Sequence, residues 1–340
     1  SLILFLVVNL VNYNTYIIAE AADQHFGSLE NAFLLIEGAK NAGADCIKFQ
    51  HHLPDEEMLP NVPMSDNFDQ PLYEFLKENA FTIEQHKEVK DYCDEVGIQY
   101  LCTPFSLKAA EELLTLNVEF FKIGSGEMTD TPTISAIADM GLPMIVSTGM
   151  STFEESDRTY ELLSSKNIQF ALMNCTSEYP PIYEDINLKV ITEMQDRYPN
   201  AAIGHSDHTG DLVTSYGAVT LGARLIEKHI ILDKNISAPD QKVSIDLDEL
   251  KQLVKNIRNL EKSLGNEKKV NLKENSIREW AFRRIISLRK INSGEEITQD
   301  MIWSKRPGTG IPSHKMDEVI GKIAVKDIEN NTLINWEDLN

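Results

Sequence analysis

The sequence predicts an α/β protein: a (β/α)8 TIM barrel followed by a small β-rich domain. Three observations lead there. Eight short apolar runs recur along the chain, each followed by an amphipathic helical stretch, and such alternation argues a parallel sheet. Eight units in about 250 residues argue closure into a barrel. No GxGxxG follows the first run, which disfavours an open doubly wound sheet. After Leu264 the pattern changes to short strands and turns, which sets off a second domain.

The apolar runs are Tyr16–Ala21, Asp45–Gln50, Gln99–Thr103, Phe120–Ile123, Met144–Ser147, Phe170–Asn174, Ala202–Gly204 and Arg224–Ile230. Helical stretches begin near Leu29, Ile83, Leu107, Thr133, Phe153, Ile186 and Leu212, and a last one runs from Asp246 to Leu264. Thr82 stands three residues before Gln85, a capping-box spacing. Asp246 offers a cap and an acidic first turn. Gly43, Gly97, Gly141 and Gly265 fall where helices should stop. The long connection from Gln50 to Thr82 carries Pro54, Pro60, Pro63 and Pro71. It follows a strand, so it is expected on the catalytic face as a lid.

The domain boundaries read as a barrel over 1–264, a linker over 265–282 with a helical stretch Asn266–Glu279, and a β-rich domain over 283–340. The apolar run Leu2–Val8 is too short to span a bilayer. With no basic residue before it and no small-residue cleavage site after it, it reads as an extra strand or a plug under the barrel of a cytoplasmic protein. The chain has 32 basic and 53 acidic residues, a formal net charge of -21. Residues 283–340 hold nine of each sign, so the rest carries the whole excess. Such an acidic chain repels nucleic acid and anionic membrane. A small anionic ligand would need local cationic side chains. Cys46, Cys93, Cys102 and Cys175 lie far apart with no CxxC, and read as free thiols inside the fold.

Residues i and i+2 of a strand share a face, and polar residues at the C-terminal ends of barrel strands face the active site. Glu20 closes the first run. Lys48 and Gln50 share a face in the second. Lys122 ends the fourth, with Ser125 and Glu127 just beyond. Ser147 ends the fifth, Ser206 and His208 follow the seventh, and Glu227 and His229 share a face in the eighth. Charges inside apolar strands cost stability unless they have a partner or a task. Any one of them alone reads as a rim charge. Two lysines, two histidines and Glu20 at one mouth read as a site for phosphate or carboxylate beside a metal. Two imidazoles leave coordination positions open, which suits a Lewis acid, with Mn, Co, Zn or Mg all compatible. His205, Asp207 and Asp211 are expected to support the two histidines. His86 is expected on a helix surface, and His25, His51, His52 and His314 are weaker candidates.

At this point the motifs resemble the sialic acid synthase family. Ile203-Gly-His-Ser-Asp-His-Thr209 is followed by Glu227-Lys-His229. Further matches are Ala19-Glu20 with His25-Phe-Gly27, Gly43–Gln50, Thr103-Pro-Phe-Ser106, Lys122–Glu127, Ser147-Thr-Gly-Met150, Cys175–Pro180, Ala238-Pro-Asp240 and Lys305–Gly310. The C-terminal module resembles the family's antifreeze-like (SAF, β-clip) domain. The resemblance implies condensation of phosphoenolpyruvate with an N-acylated hexosamine such as N-acetylmannosamine, giving a nonulosonic acid and phosphate in surface polysaccharide biosynthesis. It implies that Lys48, Lys122, Ser125, Ser147 and Ser206 bind the phosphate, with Gln50 and Thr103 near the carboxylate. His208 and His229 would hold the divalent metal, Mn with Mg or Co as alternatives. Glu20, Ser177, Tyr179 and Asp240 would meet the sugar, and Glu20, Lys48, Lys122 and Glu227 would form the catalytic set. Arg306 of the partner subunit would meet the N-acyl group in a domain-swapped homodimer.

The first loop departs from the family's common Glu-Ile-Gly-x-Asn-His-x-Gly, reading Glu20-Ala-Ala-Asp-Gln-His-Phe-Gly27. Asn174, Ser177 and Gln241 also differ from common family residues. The metal and phosphate sets are intact and the sugar side is altered. A legionaminic or pseudaminic type of product is therefore the nearest alternative. Deoxy-octulosonate-phosphate synthases would lack the Arg306 domain, and a non-catalytic scaffold would have no reason to keep convergent buried charge.

Overall fold

The computed structural model describes residues 14–63 and 70–340. The run Leu2–Val8 lies outside them. The chain divides into two compact units between Gly265 and Asn266.

The first unit is the expected barrel. Its strands are β1 (Tyr16–Glu20), β2 (Cys46–His51), β3 (Gln99–Pro104), β4 (Phe121–Ile123), β5 (Met144–Ser147), β6 (Phe170–Cys175), β7 (Ala202–Asp207) and β8 (Leu225–His229). They form one sheet in the order β3-β2-β1-β8-β7-β6-β5-β4, all pairs parallel. β3 and β4, the two ends of that order, lie against each other and close it. β7 runs three residues past the apolar run that marks it in the sequence. Its polar end is held in the ladder, with Ser206 opposite Cys175 on one side and Glu227 on the other.

Period two divides the strand residues between two cores. Ile17 and Ala19 of β1 face outward to the helices, while Tyr16 and Ile18 face the barrel interior with Cys46, Leu101, Phe120, Ile145, Met173 and Leu225. The helices supply the other half of the outer core. Leu29–Ala42 is capped by the Ser28 side chain, buries Ala32, Leu35, Ile36 and Ala39, and stops at Gly43 with φ 88°. The last barrel helix, Leu247–Ser263, buries Leu250, Leu253, Val254 and Ile257. Each buried leucine, isoleucine or valine among them contributes about 1.5–3 kcal/mol by leaving water. The capping box at Thr82/Gln85 forms as expected, and the expected Asp246 cap is extended into a second box by Glu249.

The connection after β2 carries two helices among its described residues, Pro54–Glu57 and Leu72–Asn79, and the second buries Tyr73, Phe75 and Leu76. Other expectations are corrected. The stretch expected near Ile186 is a short turn, Tyr183–Ile186, and a separate helix Val190–Arg197. The linker is helical only over Leu272–Ala281.

The second unit pairs β9 (Arg284–Ser287) antiparallel with β10 (Ile302–Lys305) around a core of Ile285, Ile291, Ile297, Ile302, Ile328 and Ile334. Gly308 packs so tightly that a Cβ would meet the Arg278 carbonyl oxygen at 2.0 Å. All four cysteines are free and buried. Among the described residues, no helix is long and apolar enough to cross a membrane.

His86 is fully buried rather than on a helix surface. Its Nδ1 pairs with the Tyr100 hydroxyl at 2.9 Å, and its ring meets His51 edge-on. Burial first, then neighbouring His51 and His25, hold its pKa well below the ordinary value. A histidine kept neutral contributes stability that is complete above its unfolded pKa of about 6.5 and is lost as pH falls below it. The wild type should therefore lose stability between pH 7 and pH 5 more steeply than His86→Gln, by up to about 1.4 kcal/mol per pH unit. Urea unfolding at the two pH values checks this, and equal slopes would contradict it.

Candidate active site

The inner face of each strand changes from apolar to polar toward its C-terminal end. Glu20 follows Ile18, Lys48 follows Cys46, Lys122 follows Phe120, Ser147 follows Ile145, Thr103 follows Leu101 and Glu227 follows Leu225, each two residues on. Every site residue expected on the barrel lines one cavity of about 400 Å³ at this end.

Glu227 sits at its floor, buried between two lysines. Lys48 Nζ is 3.2 Å from Oε1 and Lys122 Nζ is 3.8 Å from Oε2. Ser206 donates to Oε1 at 3.0 Å. Burial would raise the Glu227 pKa, but Lys122 and then Lys48 hold it at about 2. Lys122 also donates to Ser147 Oγ at 2.7 Å and to its neighbour's carbonyl at 3.2 Å. Burial lowers its pKa to about 8, with Glu227 opposing. Lys48 lies 3.4 Å from Glu20 Oε1 and donates to Thr103 at 3.4 Å. Burial acts against its charge, but Glu20 and Glu227 raise its pKa above the ordinary value. Glu20 is lifted to about 7, chiefly by burial and against the pull of Lys48. It is the one carboxyl of the four-charge cluster poised near neutrality. The cluster is electrically balanced when Glu20 is ionised, and an arriving anion finds two ammonium groups already in place.

The two histidines form the opposite wall. Their ring centroids are 5.2 Å apart, and Tyr179 stacks on His208 at 4.6 Å. His208 Nδ1 donates to the Thr176 carbonyl at 3.1 Å, which leaves its Nε2 lone pair available. His229 is held neutral by burial and by the charge of His208 and Lys48. Its Nδ1 is buried without a hydrogen bond, 3.7 Å from Asp240 Oδ2. Burial acts against a charge on His208, but Cys175 and Glu227 outweigh it and raise its pKa, so a divalent ion bound between the two rings would displace a proton from His208. Among the described residues no group of three or more His, Cys, Asp and Glu side chains is arranged to hold a metal. A divalent ion held by His208 and His229 would take its other ligands from oxygen atoms of substrate or water.

None of His205, Asp207 and Asp211 hydrogen-bonds to these histidines. His205 and Asp207 share the other face of β7, where Asp207 pairs with Lys228 at 3.1 Å and accepts from Thr209, Thr214 and Ser215. Asp211 accepts from Tyr183. Ser125 Oγ accepts from Gly149 N at 3.0 Å. A Cβ on Gly149 would come within 2.7 Å of that hydroxyl and 2.2 Å of Ser177 Oγ, so glycine lets the loop close on both serines. Arg306 belongs to the second unit. Its Nε donates to the Ala281 carbonyl at 3.0 Å and its guanidinium lies 5.4 Å from the Trp280 ring centre, so it folds back on the helix end.

The cavity also takes in Glu127 and the weaker candidate His52, together with Asp23, Phe105, Leu72 and Leu76, to which the sequence assigns no role. His52 continues the period Lys48, Gln50, His52, a signal present in the sequence. Glu127 stands just past β4. Leu72 and Leu76 come from a helix whose fold-back over the mouth has no local signature.

A parallel barrel whose mouth gathers two lysines, two carboxylates and two imidazoles has the make-up of an enzyme active site. The chain belongs to the NeuB family, whose pattern matches residues 35–269, and a SAF domain matches residues 283–340. It is 34% identical to the N,N'-diacetyllegionaminic acid synthase of Campylobacter jejuni, over 94% of this chain and 98% of the relative. It is 36% identical to a pseudaminic acid synthase of Campylobacter jejuni, over 96% and 98%. The crystal structure of N-acetylneuraminic acid (sialic acid) synthetase from Leptospira borgpetersenii matches with a TM-score of 0.72 at 29% identity, over 78% of this chain and 90% of that one. These relatives make different nonulosonic acids.

Glu227→Gln should destabilise the protein by about 3–5 kcal/mol, because it leaves two buried ammonium groups without their shared counter-charge. Equilibrium urea unfolding reads this directly. A loss below 1 kcal/mol, on the order of an exposed pair, would show that the lysines are solvated.

Proposed function

We propose that the protein condenses phosphoenolpyruvate with an N-acylated hexosamine to give a nonulosonic acid and inorganic phosphate. The observation that carries this is Glu227 bridging Lys48 and Lys122 on the floor of a cavity walled by His208 and His229. Lys48, Lys122, Ser125, Ser147 and Ser206 hold the phosphate, while Gln50 and Thr103 meet the carboxylate. Glu20, Ser177, Tyr179 and Asp240 face the sugar. A divalent ion on His208 and His229, Mn with Mg or Co as alternatives, would polarise the sugar aldehyde.

The enol carbon of phosphoenolpyruvate attacks the aldehyde carbon, and the aldehyde oxygen becomes a hydroxyl. Glu20, near neutrality, carries the proton that this oxygen takes. Water adds to the resulting oxocarbenium carbon, and the adduct loses phosphate held by the two lysines. Placing both reactants in one mouth lowers the barrier by up to about 7–11 kcal/mol. N-acetylmannosamine giving N-acetylneuraminate is the first reading of the acceptor. The altered loop Ala21–Phe26 and the legionaminic and pseudaminic acid synthases among the relatives favour other N-acyl hexosamines as the second. The reading extends to a homodimer in which Arg306 of the partner subunit meets the N-acyl group.

Phosphate release from phosphoenolpyruvate with a panel of N-acyl hexosamines tests the reaction and names the sugar. Activity should vanish in excess chelator and return with Mn, Co or Mg. No release with any acceptor defeats the reading, and full activity in chelator defeats its metal.

Lys122→Met should weaken phosphoenolpyruvate binding roughly 10- to 150-fold, the worth of a charged hydrogen bond. Wild-type affinity should also fall as pH rises through about 8, where Lys122 gives up its proton. Calorimetry showing unchanged affinity in the variant removes Lys122 from the phosphate site.

A further inference from the structure

A chain of side chains leaves the site through Gln50 and ends at Glu57, and its hydrogen bonds diverge from His52. Gln50 Nε2 donates to Glu20 Oε1 at 2.8 Å. The amide's other end, Oε1, lies 3.0 Å from His52 Nε2 and can only accept, so that ring nitrogen carries a hydrogen. His52 Nδ1 lies 2.9 Å from Glu57 Oε1. A carboxylate also only accepts, so the second ring nitrogen carries a hydrogen as well. A ring that donates from both nitrogens is an imidazolium.

The surroundings suit a cation. His52 is buried, and the Glu57 side chain beside it is 4% exposed. Asp23 Oδ2 lies 3.9 Å from Nε2, and Glu127 adds negative charge. Phe105 stacks on the ring at 4.1 Å between centroids and holds its plane. Burial disfavours the charge, but the Glu57 bond and then Asp23 outweigh it, and the His52 pKa is raised.

Neither His52 nor Glu57 has a task in the reaction described above. Gln50 does, because it lines the cavity beside Lys48 and Thr103. The amide of a glutamine has two nearly isosteric orientations, and only its partners choose between them. A neutral His52 with a bare Nε2 would accept from the amide nitrogen and draw it round, turning the carbonyl toward Glu20. An imidazolium forbids that arrangement, since its Nε2 has no lone pair.

We propose that His52, held as an imidazolium by Glu57, is a positioning residue that fixes the Gln50 amide with its nitrogen toward Glu20, leaving the second N–H of that amide for the substrate. His52 is held by the buried Glu57 side chain through Nδ1 and holds Gln50 through Nε2, and Gln50 passes the choice to the cavity. The proposal rests on the reading of Gln50 as a substrate-binding residue, but the state of the His52 ring does not.

Two measurements on the full-length protein separate them. In protein labelled with 15N histidine, the His52 ring should show both nitrogens protonated at pH 7.5, and Glu57→Gln should turn it neutral at the same pH. A neutral wild-type ring overturns the proposal whatever the enzyme makes. The second measurement is a double-mutant cycle on kcat/KM with the acceptor found in the panel, using His52→Leu and Gln50→Leu. His52→Leu should cost about tenfold in the wild-type background and less than twofold in the Gln50→Leu background, while its effect on the melting temperature is the same in both. Costs that multiply mean that His52 acts independently of Gln50, and overturn the proposal. If no acceptor is turned over, the functional reading fails, and the ring measurement still decides the state of His52.

Discussion

Glu227 holds two ammonium groups inside a protein, and the mouth of the barrel is organised around that carboxylate. Two buried lysines would repel each other and be driven neutral by desolvation. One shared carboxylate keeps both charged, with Ser206 satisfying the same oxygen that faces Lys48. The arrangement also divides labour between the two acids. Glu227 lies between the cations and stays ionised, while Glu20 touches only one of them and is left near neutrality by burial. Two carboxyls in one cavity thereby take different protonation states at the same pH.

Closure of the barrel makes this possible. In each strand the apolar inner residues stand first and the polar ones two residues on, so the apolar layer seals the bottom and the charged layer faces the cavity. The other faces of β7 and β8 carry a second buried ion pair, Lys228 with Asp207. Burial would raise the Asp207 pKa, but Lys228 and the surrounding hydroxyls hold it well below the ordinary value. Lys228 also donates to the Thr209 carbonyl just past His208. The ends of β7 and β8, which carry His208 and His229, are therefore tied together on the face away from the cavity.

Much of this was legible in the residues. Alternation of apolar runs with amphipathic helices predicted the barrel, because a parallel sheet buried on both faces must read that way. Period-two spacing placed Glu20, Lys48, Lys122, Glu227 and His229 toward the interior, because side-chain direction in a strand is local. The same rule contained the error about His205 and Asp207: they alternate with Ser206 and His208 and so face away from the cavity. His86 was misjudged for a different reason. Its helix reads as polar, and only the packing of Tyr100 and His51 against it turns that face inward.

The sequence by itself determined the class of fold, the family and the identity of the converging charges, since these depend on residue type and on spacing within single elements. Tertiary structure alone decided which charge pairs with which. The sharing of Glu227 by two lysines from different strands, the separation of Glu20 from Glu227 in protonation, the Thr176 carbonyl that orients His208, and the line from Glu57 through His52 and Gln50 to Glu20 all join residues from separate segments. Their energies depend on distances of a few ångströms and on burial, and neither exists until the barrel closes.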